Sequence, residues 1–128
     1  MEDVIGSAKR FPMMADRQVV VVREAQELSR HIDKLEAYAE NPQPTTVLVF
    51  AYKYKTLDKR KRVTKLLDKI GVVYESKKLY ENQVGDWIKR VLSGQGYNIE
   101  PKAAAILVEF LGTDLSKINN ELDKLKII

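Results

Sequence analysis

Few residues of this chain have the type and spacing that chemistry requires. The chain has no cysteine and a single histidine, His31, with no second metal ligand or nucleophile near it in sequence. Metal sites and catalytic triads need several such groups held together, so we expect neither. The Gly-x-x-x-x-Gly-Lys-Ser/Thr loop that binds nucleotide phosphates is also absent from these residues. We therefore expect His31 to be a surface or helix-cap residue.

The most concentrated chemical pattern is a basic stretch in the middle of the chain. It contains seven cations and one acid, namely Lys53, Lys55, Lys59, Arg60, Lys61, Arg62 and Lys65 with Asp58. Cations crowded on the outer face of a helix can neutralise DNA phosphates, and Lys59, Arg60 and Arg62 are the candidates. The alternative is an ordinary solvated helix face. Tyr52 and Tyr54 alternate with the lysines, and we expect them to pack at a strand end rather than to stack on bases.

An apolar pair, Met13-Met14, is the second candidate. It follows Phe11 and Pro12, and two consecutive large side chains cannot easily face the same core. Methionine is flexible and polarisable, so it adapts to irregular apolar pockets. The pair is therefore either a contact for a partner or part of the core under the strand that follows.

The composition is that of a water-soluble globular protein. Hydrophobic residues make up 45% of the chain and charged residues 31%, with a net charge of +4. This charge permits an acidic or nucleic-acid partner without requiring one. No apolar run approaches the roughly 20 residues that span a bilayer, and the acidic start is unlike a signal peptide. The absence of cysteine is consistent with the cytoplasm.

The first part of the chain alternates between helical and strand patterns. Pro12 ends the first helix, and β-branched runs predict buried parallel strands. The predicted elements are a helix at 3–11, a strand at 19–22, a helix at about 28–39, a strand at 46–50, a basic helix at about 57–70 and a strand at 72–74. This order predicts an α/β domain, residues 1–75, in which helices cover a parallel sheet.

After about residue 76 the strand patterns stop, and we expect a second domain, residues 76–128. Helices are predicted at about 80–93, 101–111 and 113–126. The first turns Val84, Trp87, Ile88 and Val91 inward. The last places Leu115, Ile118, Leu122 and Leu125 on one face, because they are spaced three and four residues apart.

Several ordered motifs resemble the delta subunit of the bacterial DNA polymerase III clamp loader. They lie before the first strand, after the second, in the first helix of the second domain and in the last helix; they are Arg10-Phe11-Pro12-Met13-Met14-Ala15-Asp16-Arg17-Gln18, Thr56-Leu57-Asp58-Lys59-Arg60, Trp87-Ile88 and Gly112–Leu125. The resemblance implies a partial AAA+-like (P-loop NTPase-like) parallel sheet followed by a small three-helix lid. It also implies that the chain is a middle piece of a longer protein.

The resemblance implies a subunit without catalytic activity of its own, inside a DNA polymerase III holoenzyme that is a nucleotidyltransferase assembly. In active AAA+ units an acidic pair follows the first of these strands and helps to hold Mg²⁺. Arg23-Glu24 stands there instead, and a guanidinium cannot bind Mg²⁺. We therefore expect neither ATP nor another cofactor.

In the delta family an adjacent apolar pair at this place binds a hydrophobic pocket on the sliding clamp. The resemblance assigns that role to Met13 and Met14, with Phe11 as a helper. This chain departs from the pattern at Lys9, where such motifs often have glutamine, and in having Met-Met instead of the commoner Leu-Phe type of pair.

The implied function is to bind the clamp and help to open it during DNA replication. The implied partners are the sliding clamp (beta subunit), the other clamp-loader subunits and, through the assembled complex, DNA, with no membrane. The alternative function is a stand-alone nucleic-acid-binding module that uses the basic helix.

Overall fold

The computed structural model describes all 128 residues, and the chain divides into two compact units, Met1–Glu75 (unit 1) and Ser76–Ile128 (unit 2). Unit 1 contains α1 (Glu2–Lys9), β1 (Gln18–Val22), a 3₁₀ helix (Ala25–Lys34), α2 (Leu35–Glu40), β2 (Thr46–Phe50) and α3 (Arg62–Ile70). Unit 2 contains α4 (Glu81–Gly94), α5 (Pro101–Leu111) and α6 (Leu115–Ile127). The protein is therefore a helix-rich α/β protein with a small sheet.

The sheet of unit 1 has two parallel strands, paired in register from Gln18 opposite Thr46 to Val22 opposite Phe50. The 3₁₀ helix and α2 form the crossover that parallel strands require. Leu48 and Phe50 face the core of unit 1, to which all its helices contribute.

The opposite face of this sheet is open. Val19, Val21, Val47 and Val49 are between 41% and 66% exposed. The prediction of fully buried strands is therefore wrong in part, because the helices of unit 1 pack against one face only. β-branched residues favour a strand whether one face or both are covered.

The predicted third strand is also absent. Residues 72–74 have no regular structure, and Val72 and Tyr74 are 91% and 83% exposed. The sheet contains only β1 and β2. A β-branched run becomes a strand only when a neighbouring strand accepts its hydrogen bonds, and residues 72–74 have no such neighbour.

Three of the predicted helices of unit 1 differ from the observed ones. The first helix ends at Lys9, which leaves Phe11 in the following loop, and the basic helix begins at Arg62, which leaves Lys59 and Arg60 outside it. The region predicted as one helix at 28–39 is mostly a 3₁₀ helix, and only Leu35–Glu40 is α-helical. Its inward residues are nevertheless as predicted, since Ile32, Leu35 and Tyr38 are buried.

Unit 2 has the three helices that its periodicity predicts, but two inward residues were predicted wrongly: Val91 is only partly buried and Leu125 is 54% exposed, while Leu92 is buried instead. Its buried core comprises Val84, Ile88, Leu92, Val108, Ile118 and Leu122. Pro101 occupies the first turn of α5, where its missing N–H does no harm. Gly112 adopts a left-handed φ of 71° after α5. The Asp114 carboxylate then caps α6 by accepting from the Lys117 N–H at 3.1 Å.

Candidate functional site

The loop that joins α1 to β1 carries three strongly exposed apolar side chains within four residues. This loop, Arg10–Arg17, is named the Met loop here. Phe11 is 77% exposed, Met13 89% and Met14 fully exposed, and none of the three belongs to the core of unit 1. Of the two alternatives for these residues, burial under β1 is therefore excluded.

The backbone of the Met loop is turned at Met14, which has a φ of 56°. A left-handed conformation is uncommon for a residue other than glycine, asparagine or aspartate, and it costs on the order of 1 kcal/mol. At Met14 this conformation accompanies complete exposure of the side chain.

The base of the Met loop is held by one side chain, Gln18. Its amide nitrogen lies 3.1 Å from the Ser7 carbonyl, 2.6 Å from the Arg10 carbonyl and 2.8 Å from Thr46 Oγ1. The Thr46 hydroxyl in turn donates to the Ala8 carbonyl at 2.7 Å. Sequence analysis missed both residues, although a glutamine before four valines is a polar residue in an otherwise apolar strand.

The cations of the basic stretch are mostly paired inside unit 1. Only Lys55 and Lys65 lack a carboxylate partner; the pairs are Lys53 with Glu24, Lys59 with Glu75, Arg60 with Asp58, Lys61 with Asp33, and Arg62 with Glu36 and Glu40. A phosphate would have to compete with these carboxylates. The charge available to DNA is therefore smaller than the sequence indicates.

The loop before α3 is shaped by Asp58 and Arg60. The Asp58 carboxylate accepts from the Arg60 N–H at 3.0 Å and from its guanidinium twice at 3.1 Å. The side-chain hydrogen bonds with Arg60 have the largest effect and the backbone bond the next largest, and they lower the pKa of Asp58 from 3.8 to about 2. This local turn lies just before α3, which begins at Arg62.

We expect the pKa of Asp58 to return towards its ordinary value in Arg60→Ala. Because the folded pKa is depressed, this pair stabilises unit 1 fully above pH 3.8 and loses its effect as the pH falls towards 2. A carbon-13 NMR titration of the carboxylates measures the shift, with Lys55→Ala as the control. An unchanged Asp58 titration in Arg60→Ala would contradict this assignment.

The carboxyl ends of β1 and β2 are joined by an ion pair. Glu24 accepts from Lys53 Nζ at 2.8 Å and from Gln26 Nε2 at 2.6 Å, and these two contacts lower the pKa of Glu24. Arg23 beside it is exposed. A metal ion at this edge would have to displace the Lys53 ammonium from Glu24.

The exposure of the remaining residues considered in the sequence analysis shows which of them lie at the surface and which pack against a core. His31 is exposed, as expected, and Trp87 packs against the core of unit 2. Tyr52 is partly buried, but Tyr54 is 96% exposed, so the expectation that Tyr54 packs at the strand end is wrong.

No three carboxylate or imidazole groups converge as a metal site would require. None of the six α-helices has both the length and the apolar character needed to cross a bilayer.

Comparison with known proteins identifies the relatives of this chain. A sequence model of the family described as DNA polymerase III, delta subunit matches residues 1–77. DNA polymerase III subunit delta of Bacillus subtilis (strain 168) is 30% identical over 134 residues, which cover 98% of this chain and 39% of that protein. The solved structure of the Bacillus subtilis DNA clamp loader delta protein (YqeN) has a TM-score of 0.76 and 31% identity, over 97% of this chain and 39% of that one.

The chain thus spans 39% of the length of both relatives. The family match includes α1, the Met loop and the whole of unit 1. The similarity in structure extends over nearly all of the chain. Because the family model matches more than half of its residues, the chain belongs to the DNA polymerase III delta subunit family.

Proposed function

We propose that this chain is the part of a clamp-loader delta subunit that binds the sliding clamp, the beta subunit, and helps to open it during DNA replication. The observation that carries the proposal is the exposure of Phe11, Met13 and Met14 on one anchored loop. Titration of purified clamp with the full-length gene product, with and without the two methionine side chains, tests it.

Three neighbouring apolar side chains in water favour a protein partner. Burying a methionine or phenylalanine side chain contributes about 1.5–3 kcal/mol each, and a few such anchors dominate most interfaces. The loop occupies eight residues between α1 and β1, so its apolar tip is suited to a concave pocket rather than a flat surface. The partner site is therefore an apolar pocket.

Opening of the clamp follows from differential binding. A contact shifts an equilibrium between closed and open rings only when it binds the open ring more tightly. The Met loop would act in this way if its pocket lies near a subunit interface of the clamp. The other clamp-loader subunits, which would perform the ATP chemistry, would control access of the loop to the clamp.

The delta chain has no catalytic role in this proposal. Unit 1 is the C-terminal part of an AAA+-like α/β domain, with a fold of the P-loop NTPase type, and unit 2 is its three-helix lid domain. The Glu24 carboxylate is occupied by Lys53, and Arg23 stands where a magnesium ligand would be needed. Both features support a subunit that works without ATP or metal.

Interaction with DNA through the assembled loader is a further part of the proposal, with Lys59, Arg60 and Arg62 as the candidates. We expect replacement of all three by alanine to weaken DNA binding by the loader. The logarithm of the binding constant should depend less steeply on salt, by about 0.9 for each DNA phosphate that is no longer neutralised. Because these residues already have carboxylate partners within unit 1, the change should be smaller than three free cations would produce. Fluorescence anisotropy at several salt concentrations measures the slope.

A control replaces Lys102 and Lys117 of unit 2 by alanine, which removes two exposed cations outside the basic stretch. An unchanged salt slope in the triple variant would mean that the basic stretch is an ordinary solvated surface. Strong binding of DNA by the isolated chain, without the other subunits, would instead favour the stand-alone nucleic-acid-binding module.

A further inference from the structure

The end of α1 and the end of the Met loop meet at Gln18. The loop leaves α1 at Arg10 and returns at Gln18, the first residue of β1. The Gln18 side chain reaches back to the Arg10 carbonyl at 2.6 Å, so one side chain closes the loop. Nothing in the exposed part of the loop makes a comparable contact with the rest of unit 1.

Gln18 and Thr46 together also bond the end of the helix. The last carbonyls of an α-helix have no partner among the helical N–H groups. Here the Ser7 carbonyl accepts from Gln18 at 3.1 Å as well as from the Arg10 N–H at 3.4 Å, and the Ala8 carbonyl accepts from Thr46 at 2.7 Å. Gln18 also donates to Thr46 Oγ1 at 2.8 Å. An amide nitrogen has two hydrogens for these three acceptors, so at least one hydrogen is shared.

These bonds connect three elements at one point. Gln18 begins β1, Thr46 begins β2 opposite it, and Ser7 and Ala8 belong to the last turn of α1. The loop is therefore tied to the sheet at its base, while its tip with Met13 and Met14 is not part of the core of unit 1.

We propose that Gln18 and Thr46 are positioning residues for the clamp contact: they fix the base of the Met loop so that Met13 and Met14 are presented in one orientation. This inference rests on the proposed clamp binding. Its physical basis is preorganisation, because a loop that is ordered before binding loses less conformational entropy on binding. If the loop samples other conformations, its apparent affinity for the clamp falls in proportion to the fraction of molecules that are in the binding conformation.

The test uses Gln18→Met and Thr46→Val in the full-length gene product. The first change keeps the length of the side chain but removes its donors, and the second replaces the hydroxyl by a methyl group of similar size. We expect each to weaken clamp binding by about 3- to 30-fold, as the loss of one or two partly buried hydrogen bonds would. Thr46→Ser keeps the hydroxyl and should bind the clamp as the unmodified protein does.

Gln43→Met is the matched control. Gln43 is also partly buried in unit 1, but its side chain donates only to Thr45 Oγ1, at 3.1 Å. It does not reach α1 or the Met loop, so its replacement should leave clamp affinity unchanged. Melting temperatures of all variants are recorded in parallel, and the titrations are made well below the lowest of them.

A double-mutant cycle distinguishes positioning from general stability. When Met13 and Met14 are already alanine, Gln18→Met should change clamp affinity less than it does in the unmodified protein, because only Phe11 is left on the loop to orient. An equal loss in both backgrounds would overturn the positioning role, and so would unchanged clamp affinity in Gln18→Met. Normal affinity in the methionine double variant itself would instead overturn the proposed function, so the two failures are distinguishable.

Discussion

Replacement of both Met13 and Met14 by alanine is expected to remove most of the proposed binding to the clamp. Two central apolar anchors usually account for on the order of 2–4 kcal/mol of an interface, which is about 30- to 1,000-fold in affinity. The melting temperature should hardly change, because the two side chains are 89% exposed and fully exposed and support no core. Clamp titrations and thermal melts on the same variant measure both quantities.

Two further variants make this result specific. Replacement of both methionines by aspartate should abolish binding, because an apolar pocket cannot solvate a carboxylate. Val72→Ala removes an equally exposed apolar side chain elsewhere in unit 1, 91% exposed, and should leave clamp affinity intact. A double alanine variant with normal affinity would end the role proposed for the Met loop.

The largest effect on stability is expected from Ile118→Ala in unit 2. Ile118 is completely buried in α6, within the core formed with Val84 and Ile88. Truncation of a buried isoleucine to alanine costs about 2–5 kcal/mol, since it removes apolar packing and leaves a cavity. Trp87 is the only tryptophan of the chain and packs against this core. Its fluorescence during denaturation therefore reports the unfolding of unit 2.

Leu125→Ala is the control within the same helix. The sequence places Leu125 on the apolar face of α6, but its side chain is 54% exposed. Its removal should therefore change the free energy of unfolding by only about 0.5 kcal/mol. Equal destabilisation by the two variants would mean that the core of unit 2 extends along the whole predicted face, contrary to the structure.

The helices of unit 2 were predictable because their pattern is local. Apolar residues repeat at helical spacing, and the three predicted helices are present at close to the predicted bounds. Burial of Ile118 and Leu122 follows directly from this period. Such patterns depend on neighbours three and four residues away, which the sequence displays. The burial of Leu92 in place of Val91 and the exposure of Leu125 required the structure, because they depend on how the helices of unit 2 pack.

Unit 1 was less predictable because its strands depend on distant partners. The runs at 19–22 and 46–50 do form parallel strands, whereas the similar run at 72–74 does not. Propensity is alike in the three segments, but pairing is not, and pairing is a tertiary property. The same limit applies to burial, since the pattern of the valines does not reveal that one face of the sheet stays exposed.

Some features of the candidate site follow from the sequence, and others follow only from the tertiary structure. By itself the sequence determined that Phe11, Met13 and Met14 are neighbours after a helix, that cations crowd between residues 53 and 65, and that the chain resembles the delta family. These are properties of residue type and order. Tertiary structure alone decided that the methionines are exposed and that four of the seven cations have carboxylate partners distant in sequence. It also brought Gln18 and Thr46 to the end of α1, because contacts between residues 8 to 38 positions apart arise only when the chain has folded.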